Sequence, residues 1–421
     1  MVEGPLAAPV HREEVFVARE LKGVALAGGG PLGAIYEIGA LAALDEALVG
    51  FDFLACDIYV GVSSGAFVTA GLANRASPRD MHRSFIESED SDDPFEPGVL
   101  LRPALGEFMR RLAVLPALAG LAVHAYFDRP FTHGVIESLQ RLGGALPTGV
   151  LDNQRIGAYL AERFNVAGRT NDFRKLKHKL FIIATDLDTC TAVPFGAPGW
   201  DHVPISLAIQ ASSALPGLYP PVEIDGRSYV DGALVKTLHA SVALREGAKL
   251  LICVNPLVPF DADAAARRHH KKRISLAEAG FPAVMAQTFR GIINSRMRIG
   301  MERYEALYPG ADVVLFEPAR DDPELFFTNM FSYSDRRRLC EHAYRHTRED
   351  LRRRADELEP ILARHGVSID HKVLADESRV LSRSPRAHRV RHRPARRLGQ
   401  AAAQLTHTLE ELEHALRAAA G

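Results

Sequence analysis

Residues Asp57 to Asn74 read DIYVGVSSGAFVTAGLAN. The apolar run DIYVGV, Asp57 to Val62, is a strand candidate, and the small residues from Ser64 to about Asn74 form a helix candidate. Between them stands Ser63, flanked by Gly61 and Gly65. A serine at a tight strand-to-helix turn needs neighbours without side chains, because the backbone there is strained and crowded. The set GVSSG therefore fits G-x-S-x-G, the nucleophile-elbow pattern. The helix start also points backbone N–H groups at any anion beside Ser63.

The same rhythm extends in both directions. Upstream, KGVALA (Lys22 to Ala27) is a strand candidate that meets Gly28-Gly29-Gly30, with a helical pattern from Ala34 to Leu48. Downstream, KLFIIATDL and KLLICVNP are further strands, and ADVVLFEP (Ala311 to Pro318) is a fifth. Continuous apolar strands alternating with helices imply a mainly parallel sheet covered on both faces. The expected fold class is thus α/β, a three-layer sandwich with a helical insertion and a C-terminal helical extension.

Two more segments carry chemistry. GGGPLG (Gly28 to Gly33) follows a strand and opens a helix, so its bare amides can face an oxyanion. It also matches G-x-G-x-x-G, and Asp52 lies near the place of a ribose-binding acid, so dinucleotide binding is a rival reading of this segment. That rival leaves GVSSG unexplained, whereas acyl hydrolysis uses both loops. Asp231-Gly232-Ala233 follows IDGRSYV. Alone it reads as a turn. Beside a serine that needs a base, it becomes a candidate partner.

Taken in order, GGGPLG, GVSSG and DGA resemble the signature of patatin-like phospholipases. ASSALPGLYPPVEIDGRSYVDGA (Ala211 to Ala233) resembles the stretch before that family's aspartate, and ATDLDTCTAVPF its middle strand region. The resemblance runs from about Leu21 to Pro256 and implies a patatin-like fold. It implies a serine–aspartate dyad without histidine: Ser63 attacks an ester carbonyl and Asp231 takes its proton. Amides of Gly28, Gly29 and Gly30, with that of Ser64, would hold the oxyanion. Gly33, Gly61, Gly65 and Gly232 complete the motifs. The implied activity is lipid acyl hydrolysis of the phospholipase A or lysophospholipase type, needing neither metal nor cofactor, on phospholipid or another acyl-ester lipid. A free Asp has a pKa of about 3.9 and is a weak base. The dyad needs a water-poor site with a well-stabilised oxyanion. Two positions depart from the family pattern: Leu32 stands where a basic residue is common, and LVKTLHA follows DGA, with Thr237 and His239.

The rest of the sequence bounds the reading. The chain has 421 residues, 47% of them apolar, and a formal net charge of -1, which suits a globular protein with a full core. Near-neutral charge gives no global pull toward nucleic acid, and none is expected as partner. Cys56, Cys190, Cys253 and Cys340 form no CxxC pair and read as buried reduced thiols. Residues 1–20 read as a leader, 21–320 as the catalytic domain, 321–370 as a helical extension, and 371–421 as a basic tail with a terminal amphipathic helix. Within the catalytic domain, 92–150 is an apolar, helix-prone insertion broken at Pro116 and Gly120, a candidate lid or an ordinary core helical hairpin, too interrupted to span a bilayer. Without an apolar signal core or a transmembrane run, the expectation is a cytoplasmic protein. Peripheral membrane contact would come through the insertion or the tail.

Two rival functions remain open at this level. A Ser–Asp–His triad would draw on His239, His342 or His346, which follow Asp231 in the chain. His342 and His346 share a helix face with Arg338 and read as solvated surface. A catalytically weak lipid or membrane binder on the same fold is the other rival, favoured by Leu32.

Overall fold

The computed structural model describes residues 20–87, 104, 148–270, 273–327 and 333–381. Residues 1–19 of the expected leader, most of the 92–150 insertion, and residues 382–421 of the tail with its terminal helix lie outside the described residues, whereas 371–375 of the expected tail form a helix.

Ten strands are described: β1 (Leu21–Leu26), β2 (Leu48–Val49), β3 (Ile58–Val62), β4 (Lys179–Asp186), β5 (Thr191–Phe195), β6 (Val222–Ile224), β7 (Arg227–Asp231), β8 (Ala248–Val254), β9 (Asp312–Phe316) and β10 (Ser368–Ile369). The main sheet has the order β6-β7-β4-β3-β1-β8-β9, with β5 also on β4. Pairing is parallel from β4 through β9 and antiparallel among β5, β6, β7 and β4. The five apolar runs picked out in the sequence are β1, β3, β4, β8 and β9 of this sheet. The antiparallel edge was not anticipated. Its hairpin turns at Asp225-Gly226, both with positive φ (52° and 73°), a conformation in which the turn twist matches that of the flanking strands.

Alternation along the strands feeds two cores. Val24 and Leu26 join one, while Ala25 and Ala27 join the other. On the first face lie α1 (Gly30–Ala47) and α2 (Ser64–Ala73). Along the second run the short helix Ala240–Arg245 and part of the long helix Phe281–Leu307, through Met297 and Tyr304. The helix Tyr333–Arg353 packs along α1, where Gly39 meets the Cys340 carbonyl. Apolar on nearly every side, α1 is therefore buried between sheet and helix. It starts at Gly30, earlier than the apolar pattern suggested, because Pro31 is well tolerated in a first turn. Strand β10 pairs with β2 and ties the C-terminal helices to the end of α1. Among the described residues, no helix is long and apolar enough to cross a membrane. Cys56, Cys253 and Cys340 are buried free thiols, whereas Cys190 is exposed.

Candidate active site

Strand β4 organises the site. It pairs with β3 through Lys179–Ile183, with β7 through Ala184–Asp186, and with β5 across Ile182–Asp186. A strand has only two edges, and β5 overlaps both other partners. So β3 and β7 share the opposite edge and meet end to end. Val62 pairs with Ile183, and Asp231 pairs with the next residue, Ala184. Ser63, the residue after Val62, is thereby delivered to Asp231 from 168 positions away: Ser63 Oγ donates to Asp231 Oδ2 at 2.7 Å.

Ser63 has φ 52° and ψ −117°, a backbone state that non-glycine residues rarely adopt. Its surroundings hold it there. The Ser63 amide donates to Ser212 Oγ at 2.8 Å, and Ser212 Oγ donates to the Ile183 carbonyl at 2.6 Å. Gly65 passes so close to β1 that a Cβ would lie 2.5 Å from the Leu26 carbonyl oxygen. Gly61 packs under Thr69 and Ala66 of α2. The glycines of the elbow are thus demanded by contact.

Asp231 is fixed at three further atoms. Its amide donates to the Ala214 carbonyl at 3.0 Å, and its carbonyl accepts from Thr185 Oγ1 at 3.1 Å. Its Oδ1 accepts the Ala233 amide at 2.9 Å, while Gly232 crosses over the Ile183 carbonyl. Asp231 is only 4% exposed and Ser63 6%. Burial pushes the Asp231 carboxyl up to about 6, against the Ala233 amide and the Ser63 hydroxyl, which pull it down.

The glycine loop closes the third side. A Cβ on Gly28 would lie 3.1 Å from the Cβ atoms of both Ser63 and Ala233, so all three motifs converge at this residue. The Gly28 amide donates to the Thr237 carbonyl at 3.3 Å. The amides of Gly29 and Gly30, at the N-terminus of α1, have no backbone acceptor among the described residues. Gly30 has φ 61° and borders open space. Gly33 lies under Ser64 Oγ, whose hydroxyl is buried and has no partner among the described residues. Leu32 packs against the core, so this loop carries no cation.

These groups face a cavity of about 510 Å³. Gly29, Gly30, Ser63, Ser64 and Asp231 form its polar end, and side chains such as Ile35, Phe67, Ile209, Leu215 and Ile293 form apolar walls. None of the three candidate histidines hydrogen-bonds to the pair. His239 is buried behind the turn after Asp231, and burial first, then the Lys236 charge, push its imidazole down to about 3. His342 Nε2 lies 2.6 Å from Asp322 Oδ2, and His346 Nδ1 lies 3.4 Å from the Tyr36 hydroxyl. His346 thus faces Tyr36 of α1, whereas His342 is 35% exposed. Asp52 accepts the Leu54 amide in a surface turn away from the cavity. Sequence reading missed Ser212, Thr185 and Ala214 as supports, and the contribution of the helix Phe281–Leu307 to the cavity wall.

The family model for patatin-like phospholipase matches residues 24–244 of the 421. The chain belongs to the patatin-like phospholipase family. The matched span contains all three motif loops of this patatin-like chain. Among solved structures it is similar to VipD from Legionella pneumophila, with 15% identity, 79% of this chain and 67% of that one covered, and a TM-score of 0.36. It is also similar to the type III effector protein ExoU, with 16% identity, coverage of 80% and 53%, and a TM-score of 0.33, so it spans about half the length of ExoU.

Proposed function

We propose that this patatin-like protein is a serine-dependent acyl-ester lipid hydrolase, of phospholipase A or lysophospholipase type, with Ser63 as nucleophile and Asp231 as general base. The observation that carries the reading is the 2.7 Å hydrogen bond from Ser63 Oγ to Asp231 at the polar end of an apolar cavity. An acyl chain lies among the apolar walls and its ester carbonyl reaches Ser63. As Oγ attacks, its proton passes to Asp231 Oδ2 and the carbonyl oxygen becomes an oxyanion. The amides of Gly29, Gly30 and Ser64 stabilise that charge. The role of Gly28 is to bring the loop against Ser63, since its own amide is directed at Thr237. Collapse of the intermediate releases the alcohol, which takes the proton from Asp231. Water then repeats the sequence on the acyl-enzyme: its proton goes to Asp231, the fatty acid leaves, and Ser63 recovers its proton.

The carboxyl raised to about 6 supports this role, because a stronger base accepts a serine proton more readily than an ordinary aspartate does. Comparison of fatty-acid release from a phospholipid mixture by the wild type and by Ser63→Ala tests the proposal. Release should fall by at least about 10⁴-fold in a folded variant. Retained release would refute it.

A further inference from the structure

Part of the cavity wall comes from the helix Phe281–Leu307, whose Ala286, Phe289, Arg290 and Ile293 line it at spacings of three, four and seven residues. Three of these are apolar and one is a cation. Arg290 is half-buried, and its guanidinium carbon lies 4.5 Å from the centroid of the Phe326 ring. Among the described residues no carboxylate pairs with it. The helix supplies none, because no Asp or Glu occurs between Glu278 and Glu302. A guanidinium held in an apolar wall loses hydration, and a ring face returns only about 0.5–2 kcal/mol of it. Burial alone lowers the pKa of Arg290 to about 10. The cavity's other lining cation, Arg336, differs. It is 2% exposed and its Nη1 donates to the Phe85 carbonyl at 3.1 Å, so it is a deeply buried group rather than a half-exposed one.

We infer that Arg290 is the head-group specificity residue of this site, receiving a phosphoryl oxyanion of the acyl-ester lipid and so selecting phosphate-bearing lipids over neutral glycerides. The inference rests on the acyl-hydrolase reading for the identity of the ligand. A planar guanidinium suits a phosphoryl group because two N–H donors match two oxygens. Its partial exposure places the head group nearer water and leaves the apolar interior to the acyl chain. With Leu32 in the glycine loop, the cation comes from the helix Phe281–Leu307 instead.

Binding separates this inference from the chemistry. In full-length Ser63→Ala protein, titrate 1-decanoylglycerol-3-phosphate and 1-decanoylglycerol below their micellar concentrations, then repeat with Arg290→Gln and Arg290→Lys added. The phosphate lipid should bind at least about tenfold tighter than the neutral one, as one charge-assisted contact warrants. Arg290→Gln should erase that ratio, and Arg290→Lys should keep most of it with an unchanged melting temperature. An unchanged ratio in Arg290→Gln, equal losses for both lipids, equal effects of Gln and Lys, or no binding of either lipid overturns the inference. If the wild type hydrolyses neither lipid while the binding ratio behaves as expected, the hydrolase reading fails and the role of Arg290 stands.

Discussion

The two walls of the cavity are built under different constraints. On one side, the turns after β1, β3 and β7 leave almost no freedom. Gly28 touches two neighbouring turns, Gly65 rides on the β1 carbonyls, Ser63 has an unusual backbone state, and Asp231 has partners on its amide, its carbonyl and both carboxylate oxygens. On the other side, the helix Phe281–Leu307 presents mostly apolar residues to the cavity and leaves Ile292 and Ile299 53% and 52% exposed. On the proposed function the first wall places the reacting atoms, where a small displacement is costly. The second needs only apolar surface and one charge, which many sequences satisfy.

That contrast is open to attack from several directions. The largest effect is on rate. With Asp231 acting as base in its ionised form, kcat/KM on a soluble ester should fall about tenfold per pH unit below about 6, a loss of about 100-fold by pH 4. A flat profile over that range in folded protein would remove Asp231 from the chemistry.

Stability distinguishes the walls next. Gly65→Ala should cost about 3 kcal/mol in chemical denaturation, because its Cβ meets backbone oxygens that have nowhere to go. Gly291→Ala, on the helix wall with nothing within 4 Å, should instead stabilise by about 0.5–1 kcal/mol. Similar costs at both positions would erase the distinction.

Asp231→Asn gives an effect of intermediate size and opposite sign. The folded carboxyl holds its proton to about 6, whereas an unfolded Asp releases it near about 3.9. The folded state therefore binds more protons between these values, and stability falls as pH rises from about 4 to about 6. Above that window an Asn, which keeps hydrogen-bonding capacity without charge, should stabilise the fold by on the order of 1–3 kcal/mol. A lower melting temperature for Asp231→Asn at pH 8 would contradict this. The smallest effect belongs to a support: Ser212→Ala removes the acceptor of the Ser63 amide and the hydroxyl that donates to the Ile183 carbonyl, and should cost about 1–2 kcal/mol, with about tenfold loss of kcat at unchanged KM.

The same contrast explains what could be read from the sequence. The constrained wall was legible because few residue types fit it: GGGPLG, GVSSG and DGA mark three turns by themselves, and apolar runs mark the parallel strands between them. The antiparallel edge was less so. Its strands are short and not continuously apolar, although Asp225-Gly226 carried a hairpin signal that was available. Ser212 could not be assigned, since it reaches Ser63 across 149 positions and its neighbours give it no distinguishing pattern. Arg290 was hidden for a related reason. An arginine on a helix of mixed polarity usually faces water, and only packing reveals that this one lines a cavity. His342 and His346 went the other way. In the sequence they read as a solvated stripe; His342, 35% exposed, pairs with Asp322, and His346 meets Tyr36 because Tyr333–Arg353 packs on α1.

The central claim is that Ser63 is activated by Asp231. Its most direct test is the rate at which a fluorophosphonate labels full-length protein, with the adduct located by mass spectrometry, in wild type and in Asp231→Asn at pH 8. The account predicts one adduct, on Ser63, formed at least about 10³-fold more slowly in the folded Asn variant. An unlabelled Ser63 in folded wild type, or equal labelling rates in the two proteins, would contradict it.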